Sequence, residues 1–77
     1  SALDEVDKAI EANLKVISFY PSDYNSLKNL ALLYDKQGNL SQALQYAHQA
    51  LTVAPEEQKT SISEYVTQLE QRTGKGE

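Results

Sequence analysis

His48 is the only imidazole in the sequence, which contains no cysteine and no tryptophan. Nucleophilic catalysis needs a base beside the nucleophile and a further group to orient that base. With one histidine and no thiol, no convincing set can be assembled. His48 is expected to stand solvated on the outer surface. Two carboxylate pairs, Asp7 with Glu11 and Glu56 with Glu57, are of the type that holds cations or shares a proton. Hard cations, however, need several oxygen ligands converging on one point. Asp4 and Lys8, and Glu11 and Lys15, stand four residues apart, the spacing of solvated ion pairs along a helix. No catalytic residue, metal ligand or cofactor is expected, so the chemistry that remains is recognition.

The bulk properties narrow the partners. The formal net charge is -4, with seven basic residues scattered singly. Binding to a phosphate backbone needs a basic face, so nucleic acid is not expected, and an anionic membrane surface is a poor match. The longest apolar run is Leu30 to Tyr34, far short of the roughly 20 residues of a membrane span, so no direct membrane insertion is expected. The opening Ser1-Ala2-Leu3-Asp4-Glu5 has neither a basic region nor a long apolar stretch, which predicts no signal peptide in it. Asn39-Leu40-Ser41 fits a glycosylation sequon, but an Asn there is explained by turn chemistry. The compartment is not assigned: cytoplasm is the first reading, an extramembrane domain of a larger protein the second. A chain of 77 residues makes one domain or part of one, with a thin core.

The elements that must carry any recognition surface are helical. Strict apolar/polar alternation is missing, and Gly occurs only at 38, 74 and 76. The spacing predicts four helices, at about residues 3–19, 24–36, 41–53 and from Pro55 to about residue 73. Val6, Ile10, Leu14 and Ile17 recur at helical spacing in the first. Asp23 is the expected N-cap of the second and Gly38 its left-handed end. Pro55 is expected in the first turn of the fourth, where its missing N–H costs nothing. Ile62, Tyr65, Val66 and Leu69 form a narrow apolar stripe along that helix. Residues 74–77 are expected to be a flexible tail.

The two prolines, Pro21 and Pro55, are 34 residues apart. Shifted by that period, Val6 falls on Leu40, Ala9 on Ala43, Ile10 on Leu44, Val16 on Ala50 and Ile17 on Leu51. A fixed period of this size signals stacked helix pairs. The expected fold is therefore all-α: an antiparallel helix-hairpin solenoid fragment of about four helices. Ala43, Ala47 and Ala50 give the third helix a low profile, so that Leu30 and Tyr34 of the second can approach. The same shift puts Ser61, Glu64 and Gln68 where Leu27, Leu30 and Tyr34 stand. The fourth helix thus has one apolar face and a polar far side, as a terminal cap requires.

Residues 24–57 resemble one complete tetratricopeptide (TPR) repeat. Leu27 stands for the large residue early in the first helix, Leu30-Ala31 for the usual Leu-Gly, and Tyr34 for the aromatic that follows. Gly38-Asn39-Leu40 matches the turn, Ala43 and Ala50 the small residues of the second helix, and Pro55 the closing proline. Two positions depart: Leu27, where Trp is frequent, and Ala47, where an aromatic is common and Tyr46 beside it is expected to point off the same face. The expected organisation is a single TPR-like domain over residues 1–77. Residues 2–21 would be the second helix of a partial repeat, 22–54 a complete pair and 55–73 a capping helix.

The resemblance implies a module that binds a protein or peptide in a concave groove lined by first helices. Carried onto this sequence, the groove residues are Asn25, Lys28, Asn29, Leu32, Asp35 and Lys36. Asn29 stands where the middle repeat of some members supplies an Asn to a clamp for a peptide's terminal carboxylate. Leu32, off the Leu30–Tyr34 face and between Lys28 and Lys36, is the expected contact point. The alternative is an assembly role. The first helix lacks a hairpin partner, so either the chain ends a longer array or the helix packs on a second copy as a homodimer. Leu3, Ile10 and Leu14 are the self-association candidates.

Overall fold

The computed structural model describes residues 2–74, with side chains from Asp4 onward. Four α-helices follow one another: α1 (Ala2–Phe19), α2 (Tyr24–Lys36), α3 (Leu40–Val53) and α4 (Lys59–Thr73), the last preceded by a 3₁₀ turn at Glu56–Gln58. No strand occurs among the described residues. The all-α hairpin arrangement is as expected.

Local chemistry sets the α2–α3 hairpin. The Ser26 N–H donates to Asp23 Oδ2 at 3.0 Å, capping α2. At its other end Gly38 takes φ 82°. The Gly38 N–H donates to the Asp35 carbonyl and the Asn39 N–H to the Tyr34 carbonyl, both at 2.9 Å. This is the paired closure in which a left-handed residue satisfies the last carbonyls of a helix. A Cβ at Gly38 would meet nothing within 4 Å, so its backbone angle, not crowding, favours glycine. Asn39 then caps α3, accepting from the Gln42 N–H at 3.2 Å.

Packing shows the helices to be antiparallel. Tyr34, near the end of α2, stacks on Tyr46, midway along α3, with ring centroids 5.7 Å apart and planes 4° from parallel. At the other end Leu27 clusters with Ala50, Ala54 and Ile62. Ala31, Ala43 and Ala47 cluster with Val66 and Leu69, so α3 is packed against α2 on one side and α4 on the other. On α1, Ile17 packs at the Leu27 end, while Gln37 Nε2, just beyond α2, donates to Asp7 Oδ1 at 2.7 Å.

Ala31, Ala43, Ala47 and Ala50 are all fully buried. A methyl side chain lets two helices close until leucines from either side fill the space between them. Burying Leu27, Leu30 or Leu69 contributes about 2 kcal/mol each.

Two sequence expectations change. Pro55 is not in the first turn of α4. It is extended, with φ -60° and ψ 153°, and its carbonyl accepts the Gln58 N–H at 2.8 Å. That short-range bond closes the 3₁₀ turn, so regular α-helix starts only at Lys59. Tyr46 does reach the core, because long helical side chains lean back over the preceding turn; it touches both apolar clusters.

Ala43 has no room for a larger side chain, whereas Ala12 is exposed. Ala43→Leu is expected to cost about 1–3 kcal/mol through overpacking, lowering Tm by roughly 4–8 °C per kcal/mol, with Ala12→Leu near wild type. Thermal melts followed by circular dichroism check this; equal shifts would contradict the packing.

Candidate functional site

The outward face of α2 is the surface its own partners leave open. Residues 25, 28, 29, 32 and 36 recur at helical spacing, and Asn25, Asn29, Leu32 and Lys36 are exposed, with Lys28 half-buried. Leu32 keeps 42% of its surface in water. It forms a ridge between two open hollows. One, of about 490 Å³, lies between α1 and α2 and is lined by Ala9, Asn13, Asn29, Leu32, Leu33, Asp35 and Lys36. The other, of about 300 Å³, lies between α2 and α4 and is lined by Tyr24, Lys28, Leu32, Gln58, Ser61, Ile62 and Tyr65. Asn25 borders neither. Lys28 Nζ sits 5.6 Å from the centroid of the Tyr24 ring, a distance at which the ring face attracts the ammonium.

Asp35 differs from the other groove candidates. Its carboxylate accepts from the Tyr65 hydroxyl at 2.9 Å and from both guanidinium nitrogens of Arg72, at 3.1 and 2.8 Å. It is thus a tie between α2 and α4 rather than a free acid in the groove. The Arg72 hydrogen bonds hold the Asp35 carboxyl below the usual carboxylate range against the opposing effect of burial. Burial and the bond to Asp35 push the Tyr65 phenol up. With Asp35 matched by Arg72, the charges left on this face are Lys28 and Lys36. The face is locally cationic on a chain of net charge -4.

The remaining candidates are distributed differently. Ile10 is buried, at 7% exposure, because the face of α1 that carries it and Ile17 turns inward. It offers no surface to a second copy. Leu14 is half-buried, and Leu3 lies outside the described side chains. His48 is exposed as expected, but its Nε2 stands 3.5 Å from Glu70 Oε2 of α4. Among the described residues no group of three or more His, Cys, Asp or Glu could hold a metal, and no helix is long and apolar enough to cross a membrane. Sequence reasoning missed Tyr65 and Arg72 as groove-wall and clamp residues. They lie 30 and 37 residues from Asp35, beyond any local spacing signal.

The sequence model of the Tetratricopeptide repeat family matches residues 24–57. That segment, from the first residue of α2 to the 3₁₀ turn, is a tetratricopeptide repeat, a unit that is generally a non-catalytic scaffold for protein–protein interaction. The chain is also similar to the signal recognition particle receptor FtsY of Aquifex aeolicus (strain VF5), at 37% identity over 73 residues; the match covers 95% of this chain and 15% of that protein. No solved structure matches.

The Asp35 tie has a pH signature. A carboxyl whose pKa is lower folded than unfolded stabilises fully above its unfolded value, near 3.9, and loses that contribution as pH falls through its folded value. Asp35→Asn is therefore expected to melt below wild type at pH 7, with the gap closing as the pH falls below about 4. The other carboxylates are common to both proteins and cancel in the difference. Paired melts across pH check this; a gap that stays constant into acid would contradict the tie.

Proposed function

Taking residues 24–57 as a tetratricopeptide repeat, we propose that this chain is a protein-binding module whose contact surface is the outer face of α2. The observation that supports this best is Leu32. It is a large apolar side chain, 42% exposed, raised between two hollows and flanked along its helix by Lys28 and Lys36. Such a ridge fits a peptide or helix that seats an apolar side chain in one or both hollows and brings carboxylates to the two ammonium groups. Isolated exposed ion pairs contribute little, so the apolar contact carries the affinity and the lysines favour acidic partners. Asn29 adds an amide on the α1 side and Asn25 one beyond the hollows.

In this reading α1 is the second helix of an incomplete repeat, and α4 is a cap whose outer residues Ser61, Glu64 and Gln68 face water. The role is binding, not catalysis, and the partner is protein rather than nucleic acid. The likeness to one segment of a receptor protein is compatible with a helical module carried within a longer chain.

Leu32→Ala combined with Lys28→Ala is expected to abolish capture of partners by the immobilised protein. Surface substitutions of this kind usually change stability by only about 0.5 kcal/mol, so Tm should hardly move. An unchanged set of captured partners would reject this groove.

A further inference from the structure

The two hollows beside Leu32 share more than that ridge. Asp35 lines the one between α1 and α2, and Tyr65 lines the one between α2 and α4. The Tyr65 hydroxyl donates to Asp35 Oδ2 at 2.9 Å. One hydrogen bond therefore joins the lining of one hollow to the lining of the other. Tyr65 stands at the margin of the core. Ile62, Val66 and Leu69 of α4 are buried, whereas Tyr65 is half-buried and packs against both apolar clusters from outside. A long side chain on a helix has two ready χ1 rotamers, so packing at the margin leaves the ring a choice. Among the described residues, the side-chain hydrogen bonds that join α2 to α4 all end on the Asp35 carboxylate.

We propose that Asp35 is a positioning residue of the groove: it fixes the Tyr65 ring as the α4 wall of the α2–α4 hollow, so that the hollow is formed before a partner arrives. This rests on the reading of the outer face of α2 as the contact surface. Ordering a loose side chain on association costs affinity, and a wall already in place avoids that cost. Asp35 thus serves binding without offering its carboxylate to the partner.

Arg72 makes the anchor firm. Its two terminal guanidinium nitrogens donate to the two carboxylate oxygens of Asp35, Oδ1 at 2.8 Å and Oδ2 at 3.1 Å. Such a forked pair fixes the plane of the carboxylate and gives the Tyr65 hydroxyl an oriented acceptor. Burial and the bond to Asp35 keep the phenol protonated, so the donor is retained at neutral pH. Arg72 lines neither hollow; it acts on the groove through Asp35.

Tyr65→Phe keeps the ring and every charge and removes only the hydroxyl. The probe is a fluorescent peptide with one leucine between glutamates, titrated where circular dichroism shows each protein folded. Tyr65→Phe is expected to weaken its binding by about 2- to 10-fold, the cost of ordering one side chain on association. Three-bond couplings at residue 65 should report a single χ1 rotamer in the unaltered protein without peptide. In Tyr65→Phe they should report averaging, and saturation with the peptide should restore the single rotamer. A hydroxyl that touched the partner directly would lower the affinity with the rotamer already single. A single rotamer in peptide-free Tyr65→Phe, or an affinity that variant leaves unchanged, would overturn the proposal while the contact surface stands. A peptide that does not bind, or binds Leu32→Ala equally well, would remove the contact surface and this inference with it.

Discussion

The close approach of α2 and α3 over a seam of alanines is the contact on which the rest depends. Ala31 on one helix and Ala43, Ala47 and Ala50 on the other are fully buried. None has an atom beyond Cβ, so the helix backbones can come together and Leu27 and Leu30 can fill the margins. The seam serves two neighbours. Val66 and Leu69 of α4 join the Ala43–Ala47 cluster, and Ile62 joins Ala50 and Ala54. A larger residue in the seam would therefore displace α2, α4 or both. In a domain this small, where the core is thin, few other contacts could compensate.

The seam also determines what α2 can offer outward. With Leu27, Leu30 and Ala31 buried, the helix has little freedom to rotate, and Leu32, Lys28 and Lys36 are held on the opposite side. A recognition surface on a rigid helix needs little ordering when a partner arrives, which is where preorganisation contributes affinity. Asp35 links this surface to the cap: it lines the α1–α2 hollow while its carboxylate holds Tyr65 and Arg72 of α4. The groove and the closing helix therefore share one side chain.

Much of the fold was legible because its signals are local. Asp23 and Gly38 bracket α2 with cap and turn chemistry that needs only a few neighbouring residues. Asn39 was read as a turn residue; it is also the N-cap of α3. The stripe of Ile62, Val66 and Leu69 is readable by period alone. What escaped depends on distance. The Asp35–Arg72 pair joins residues 37 apart, and the Tyr34–Tyr46 stack requires knowing how α2 and α3 face each other. α1 was the hardest element, because it carries two apolar stripes, one with Ile10 and Ile17 and one with Val16 and Phe19. Periodicity cannot rank them; only the position of α2 decides which goes inside, and it chose the first. Pro55 was misplaced for a related reason. A proline suits both a first helical turn and the extended residue before it, and the 3₁₀ bond between the Pro55 carbonyl and the Gln58 N–H favours the second.

The alanine seam can be tested directly by a nuclear Overhauser experiment on protein carrying labelled alanine methyl groups. The account predicts cross-peaks from the Ala31 methyl to the methyl of Ala43 or Ala47, since all three sit in one buried cluster. Absence of any such cross-peak, with the Ala43 and Ala47 methyls instead showing contact with water, would contradict it.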